Sequence, residues 1–282
     1  MRTLVVVPTY EERGTIEELV TALRRLPGDG GAAAVGPDPG DAADTALGPP
    51  EVLVVDDASP DGTGRLVARL AAADSGVHVL HRSHKAGLGP AYRAGLRWGL
   101  ARGYDVLVEM DADLSHDPAE LPALLAALHE ADLVIGSRYV PGGDVRQWTA
   151  GRIALSTWGN RYVRGLTRLP VSDATSGFRA FRAAVLRTIA VDALTSDGYA
   201  FQVETALRAW RAGFVLAEVP ITFVERRAGA SKLSRRVVVE AAWRVPAWGA
   251  TGLGRARPRA GTHPASVART GRAASPPPPA TR

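Results

Sequence analysis

Two pairs of carboxylates in this sequence are placed to do chemistry. One pair is Asp56-Asp57, in Val54-Val55-Asp56-Asp57-Ala58-Ser59-Pro60-Asp61-Gly62-Thr63; the other is Asp111 and Asp113, in Glu109-Met110-Asp111-Ala112-Asp113-Leu114-Ser115-His116-Asp117-Pro118. Asp111 and Asp113 are two residues apart, so in extended chain both point to one face. Hard oxygen ligands at that spacing suit Mg²⁺ or Mn²⁺ held between carboxylates and a nucleotide diphosphate. A calcium loop would require a further acid and a glycine at fixed offsets, and these are missing. Asp56 and Asp57 read two ways. An Asx turn and helix start account for Ser59 to Thr63, whereas two adjacent like charges call for a compensating ligand. Asp117 before Pro118 reads as a helix N-cap.

Cations and glycines stand in the remaining motifs. Lys85-Ala86-Gly87-Leu88-Gly89 opens a helical pattern, where amide donors and Lys85 can face an anion. It is not a Walker loop, in which the lysine follows the glycines. Gly136-Ser137-Arg138-Tyr139 closes an apolar run. Arg152, Ser156 and Asn160 then fall on one helical face, and Arg226, Gly229, Ser231 and Lys232 form a basic turn. Arg138, Arg152, Arg226 and Lys232 are read as phosphate clamps, and Arg161, Arg164 and Arg168 as a solvated helix face.

The elements that must position these residues alternate between two periods. Apolar runs of strand length occur at Leu4–Val7, Val52–Val55, Val77–Leu80, Val106–Met110 and Leu133–Ile135. Helical patterns lie between them at Thr15–Leu26, Gly64–Ala73, Gly89–Ala101 and Pro118–Leu128. The expected fold is α/β, a mostly parallel sheet buried on both faces by helices. Ligands in such sheets collect at the carboxyl ends of the strands, and the motifs stand there. Gly28–Pro50, rich in Gly, Ala, Pro and Asp, exceeds the roughly 2–6 residues the connection needs and reads as a flexible insertion. Residues 254–282, rich in Arg, Pro and Ala, read as a disordered tail, leaving 1–253 as one catalytic domain.

Composition excludes several classes. The 282 residues contain no cysteine, so disulfides, thiolate metal sites and cysteine nucleophiles are out. The six histidines form no two-histidine helical motif, which argues against a zinc hydrolase. No run approaches the ~18 apolar residues of a spanning helix, and the amino terminus is unlike a signal peptide. The formal net charge of +5 conceals a sorting of sign. Residues 1–140 carry 12 basic and 21 acidic side chains, against 22 and 8 in residues 141–282. An acidic half suits a metal; a basic half suits a polyanion.

Taken in order, the motifs resemble a known family. Val7-Pro8-Thr9-Tyr10-Glu11-Glu12, the Asp56-Asp57 and Asp111–Pro118 segments and Gly136–Tyr139 are followed by Asp173-Ala174-Thr175-Ser176-Gly177-Phe178-Arg179-Ala180, Gly198–Glu204 and Glu218-Val219-Pro220-Ile221. Over about residues 1–245 this set resembles glycosyltransferase family 2, specifically the dolichol-phosphate (polyprenol-monophosphate) mannosyltransferases. The resemblance implies a GT-A fold, GDP-mannose as donor, a polyprenyl monophosphate acceptor, Mg²⁺ or Mn²⁺, and transfer with inversion. It places Pro8, Tyr10, Glu12, Val55 and Asp57 against the guanosine, with Lys85 on the donor side. Asp111 and Asp113 become the metal pair with Ala112 against the nucleotide, and Asp113, Arg138, Arg152, Arg226 and Lys232 the catalytic set. Arg138, Arg152, Ser156, Arg226 and Lys232 grip donor and acceptor phosphates. Some relatives complete the metal shell with a glutamine where Ser115 stands here.

The resemblance also sets departures and alternatives. The family's usual Tyr-Asn-Glu is Tyr10-Glu11-Glu12 here, and Glu12 is expected to keep its role. Many relatives carry transmembrane helices after the catalytic domain. Without them, contact with a membrane surface is expected from Val237–Trp248 or a membrane-protein partner. That stretch reads equally as an interfacial helix or as the last core helix. The expected location is cytoplasmic, peripheral on the inner face of the membrane. A sister transferase using UDP-glucose or another nucleotide sugar on the same lipid phosphate is the alternative, and a non-catalytic nucleotide-binding subunit a further one. Nucleic acid is not an expected partner, because aromatic residues do not interleave with the basic ones.

Overall fold

A computed structural model describes residues 1–28, 48–225 and Trp248. Most of the 28–50 insertion, Arg226, Lys232, most of the Val237–Trp248 stretch and the whole 254–282 tail lie outside the described residues. In chain order the elements are β1 (Thr3–Thr9), α1 (Ile16–Arg24), β2 (Glu51–Asp56), α2 (Thr63–Ala73), β3 (Val77–His81), α3 (Leu88–Ala101), β4 (Val106–Glu109) and α4 (Leu121–Ala127). They continue with β5 (Leu133–Ser137), β6 (Asp144–Arg146), α5 (Ala150–Thr167), β7 (Arg179–Arg182), α6 (Ala183–Thr188), α7 (Gly198–Arg211), β8 (Leu216–Pro220) and β9 (Thr222–Val224).

The middles of the central strands β1 and β2 are apolar because both of their faces are covered. Along β1, Leu4 and Val6 enter one core layer with Tyr92, Leu96 and Leu107. Val5 and Val7 enter the other with Ile16, Leu19 and Leu23 of α1. Period-2 alternation thus sends successive residues to opposite helix layers, and every one of them must be apolar. Helix α3 lies close on the sheet because Gly95 and Gly99 face it. A Cβ at Gly95 would stand 2.3 Å from Val6 Cγ1, so the approach requires glycine.

The main sheet has the order β3-β2-β1-β4-β7-β5-β8. All neighbouring pairs are parallel except those of β7, which runs antiparallel between β4 and β5. The mostly parallel sheet matches the expectation; β7 is an addition to it, since Arg179–Arg182 has no apolar run that marks a strand. Its direction matters for the site. Arg179, at the start of β7, pairs in register with Glu109 at the end of β4. The segment just before β7 is thereby delivered to the same sheet edge as Asp111. A two-stranded ribbon of β6 and β9 closes that edge, tied in by Val224 N–H on the Ser115 carbonyl at 3.1 Å. No helix among the described residues is long and apolar enough to cross a membrane.

Candidate active site

Three loops meet at the carboxyl ends of β1, β2 and β4. Glu11 N–H donates to Ser59 Oγ at 3.1 Å, and Arg13 N–H to Asp61 Oδ2 at 3.2 Å, joining the first two loops. Thr15 Oγ1 donates to the Ala112 carbonyl at 2.8 Å and fastens the third. The helix starts behave as their sequence suggests. Asp61 Oδ1 accepts from Thr63 N–H at 2.9 Å, and Asp117 Oδ1 from Ala119 N–H at 2.9 Å.

The Asp56-Asp57 charges are compensated from within. Asp56 Oδ1 accepts from Ser59 N–H at 3.1 Å, and Oδ2 lies 3.4 Å from His81 Nδ1. Asp57 Oδ1 pairs with Arg82 Nη1 at 2.5 Å, and Oδ2 accepts from the amides of Ala86 and Gly87 at 3.0 and 2.9 Å. Asp57, expected against the guanosine, is buried, and the glycine loop, expected to face an anion, donates its Ala86 and Gly87 amides to that carboxylate. The third of these amides, Gly89 N–H, donates to Asp197 Oδ1 at 2.5 Å. Val55, expected against the guanosine, has no exposed surface and belongs to the same core layer as Tyr92. Pro8 is buried in β1, whereas Tyr10 and Glu12 are half-buried. Lys85 Nζ sits 3.5 Å from the centre of the Tyr10 ring, a cation–π contact.

Asp111 is the more open of the second pair. Tyr92 Oη, wholly buried, donates to its Oδ1 at 3.2 Å, and His116 Nε2 lies 3.8 Å from its Oδ2. Burial and the Asp111 charge raise the Tyr92 pKa well above its ordinary value, so the phenol stays a donor. Ala112 is buried between the two acids, and Asp113, also buried, accepts from Ser115 N–H at 3.0 Å. Gly177 leaves room beside Asp111, since a Cβ there would stand 3.1 Å from Asp111 Oδ2.

The surroundings of this pair fit a divalent cation. Ser115 Oγ and both ring nitrogens of His116 are buried without a hydrogen-bond partner among the described residues. Buried polar atoms left in that state call for a further group. No set of three His, Asp or Glu donors able to hold a metal converges among the described residues. A site offering a carboxylate pair suits Mg²⁺ or Mn²⁺, which take their remaining ligands from water and substrate phosphates.

Beyond it, the basic side is organised around Asp173. Arg138 Nε and Nη2 reach its two oxygens at 2.7 Å each, and Arg138 N–H donates to Oδ2 at 3.1 Å. Burial alone would lower the Arg138 pKa; the charge and hydrogen bonds of Asp173 reverse that and raise it. Glu218 accepts from the amides of Ser172 and Asp173 at 2.7 and 2.9 Å, fixing the loop, and Asn160 Oδ1 accepts from Ala174 N–H at 2.9 Å. Arg138, expected as a phosphate clamp, has a buried guanidinium that is bidentate on Asp173. Arg152 pairs with Glu225 and lies 4.0 Å over the Trp148 ring. Ser156 Oγ accepts from Tyr139 Oη at 2.7 Å. The structure thus brings Arg138, Arg152 and Ser156 to one side of α5.

The comparisons with known proteins can be set against this geometry. The model of glycosyl transferase family 2 matches residues 4–190. The chain belongs to that family. It is 51% identical over 249 residues to the undecaprenyl-phosphate mannosyltransferase of Micrococcus luteus, covering 88% of this chain and 94% of that one. It is 49% identical over 259 residues to the polyprenol monophosphomannose synthase of Mycolicibacterium smegmatis, covering 91% and 90%. Among solved structures, glucosyl-3-phosphoglycerate synthase of Mycobacterium tuberculosis, in complex with Mn²⁺, UDP and phosphoglyceric acid, superposes with a TM-score of 0.58. At 22% identity over 86% of this chain and 78% of that one, this likeness establishes the fold. The chain is a family 2 glycosyltransferase with the GT-A architecture.

Several site residues of this glycosyltransferase went unassigned in the sequence. Tyr92, Tyr139, Asp173 and Glu225 each hold a candidate residue in place, but their partners are distant in the chain. Tyr139 and Asp173 stand inside motifs already singled out.

Behind the acidic pair lie two oppositely charged buried side chains, Glu109 and Arg179. Arg179 is fully buried and donates to the carbonyls of Ala174, Ser176 and Gln202 at 2.6–2.8 Å. Burial lowers its pKa to about 10, against the opposing charge of Glu109. Burial raises Glu109 to about 7 from 4.5, with Arg179 opposing. A carboxyl raised on folding binds its proton more tightly in the folded state, so its contribution to stability falls as pH rises from 4.5 towards 7. Each tenfold difference in proton affinity corresponds to about 1.4 kcal/mol. In urea unfolding, Glu109→Gln is expected to lose less stability than wild type between about pH 5 and about pH 7.5. Identical pH dependences would contradict the assignment.

Proposed function

We propose that this enzyme transfers mannose from GDP-mannose to a polyprenyl monophosphate, giving the β-linked mannosyl phosphodiester with inversion at the sugar. The observation that carries the reading is the identity of about half over some nine-tenths of the chain with two relatives whose names specify mannosyl transfer and a polyprenol phosphate. The site is consistent with it. The nucleophile is a phosphate oxygen that is ionised at neutral pH, so no deeply buried general base is needed.

The work left to the protein is to hold two anionic substrates in line against their mutual repulsion. Tyr10, Glu12 and Lys85 line the nucleoside side. Arg152 and Ser156 are assigned to the acceptor phosphate, a role the family resemblance extends to Arg226 and Lys232, which follow β9 in the sequence. Arg138 acts in this scheme as a positioning residue, through Asp173, and not as a direct clamp. Asp111 and Asp113 would hold Mg²⁺ or Mn²⁺, which when bound supplies Lewis-acid stabilisation of the departing nucleoside diphosphate. Tyr92 orients Asp111 for that task, and Gly177 keeps the space beside it open. The enzyme works at the cytoplasmic face of the membrane as a peripheral protein.

Purified enzyme with Mg²⁺ or Mn²⁺, a polyprenyl phosphate and radiolabelled GDP-mannose or UDP-glucose tests the donor. Label moving into the organic phase from GDP-mannose is the expected result. Transfer from UDP-glucose alone would overturn the donor.

A further inference from the structure

Helix α5 has a second face that the transfer site does not use. Its inner side buries Asn160, Val163 and Thr167. On the outer side Trp158, Leu155 and Leu166 are 61%, 51% and 43% exposed, and Tyr162 stacks on Trp158 with ring centroids 5.5 Å apart. Leu155, Trp158, Tyr162 and Leu166 follow an i, i+3, i+7, i+11 spacing, one continuous stripe along the helix. Arg161, Arg164 and Arg168, all exposed, run beside it. Between Val145 and Ser172 the chain carries five arginines and no carboxylate.

We infer that this outer face of α5 seats in the interfacial layer of an anionic lipid bilayer. Large apolar side chains contiguous on one face mark an interaction surface. Tryptophan and tyrosine favour the headgroup level, and arginines alongside draw the face to anionic phospholipid. A helix with an apolar stripe and a basic flank lies in the plane of the interface. The charge complementarity selects lipid over a second copy of the chain, whose same face would oppose arginine to arginine. The same helix carries Arg152 and Ser156. With the stripe seated, a phosphate borne on a lipid meets those residues at the bilayer surface; this link rests on the acceptor reading above.

The test uses the full-length protein and vesicles without any polyprenyl phosphate. Co-sedimentation is compared on phosphatidylcholine vesicles and on vesicles with phosphatidylglycerol added. Wild type is expected to bind the anionic vesicles, and Trp158→Ser/Leu166→Ser to bind about tenfold less tightly. Arg161→Gln/Arg164→Gln/Arg168→Gln is expected to lose the preference for phosphatidylglycerol. Both variants change exposed residues and should unfold as wild type does. Equal vesicle binding by wild type and Trp158→Ser/Leu166→Ser would overturn the inference. So would a wild-type dimer that this variant dissociates, which would make the face a self-interface. A water-soluble short-chain prenyl phosphate separates this from the acceptor reading. Equal turnover of it by wild type and variant supports a surface role, and selective loss in the variant overturns it. If wild type itself transfers to no prenyl phosphate, the acceptor reading fails while vesicle binding still decides the surface.

Discussion

Asp113→Ala is expected to lower mannosyl transfer roughly a thousandfold or more, because it removes one of the two carboxylates proposed to hold Mg²⁺ or Mn²⁺. Stabilising charge on a leaving diphosphate is worth several kcal/mol, and about 4 kcal/mol corresponds to three decades in rate. The fold should survive. Asp113 lies in a loop beyond β4 and accepts from the nearby Ser115 amide. A second readout separates metal loss from general damage. Binding of Mn²⁺ in the presence of GDP, followed by paramagnetic broadening of water, should weaken in step with the rate. Full transfer by the variant, or unchanged metal binding, would remove Asp113 from the site.

Asp173→Asn should act through stability as well as rate. It leaves the buried Arg138 guanidinium without its anion, a loss that costs about 3–5 kcal/mol in comparable buried pairs. Burial lowers the Arg138 pKa and Asp173 is the largest influence restoring it, so the buried charge rests chiefly on that carboxylate. The unfolding midpoint in urea should fall markedly. A hydrophobic double replacement, Arg138→Met with Asp173→Leu, should recover much of the stability, since no unpaired charge remains. It should not recover transfer, because the loop from Asp173 to Ser176 loses the anchor that positions it beside Asp111. A loss below about 1 kcal/mol for Asp173→Asn would show the pair to be dispensable.

These two variants probe opposite ends of what could be read from the chain. Asp113 is singled out by purely local sequence: two acids two residues apart, after an apolar strand. The same holds for β1 to β5, whose buried apolar runs carry their own signal. Asp57 and the Lys85–Gly89 loop are equally prominent in the sequence, and in the fold they are partners of each other. Sequence spacing cannot show that two motifs some thirty residues apart satisfy one another. Arg138 was legible as important, but its buried pairing with Asp173 arises from the antiparallel entry of β7, which no periodicity announced. The stripe on α5 was overlooked because its arginines alone suggested a solvated face, while Leu155, Trp158 and Leu166 gained meaning only once their exposure was known.

The central claim concerns the product, and the product can be examined directly. Enzyme, GDP-mannose, polyprenyl phosphate and Mg²⁺ or Mn²⁺ are combined, and the lipid product is isolated for NMR at the anomeric carbon. The account predicts a single β-mannosyl phosphodiester, formed with metal and not formed in EDTA. An α-linked product, or the same yield in EDTA, would contradict it.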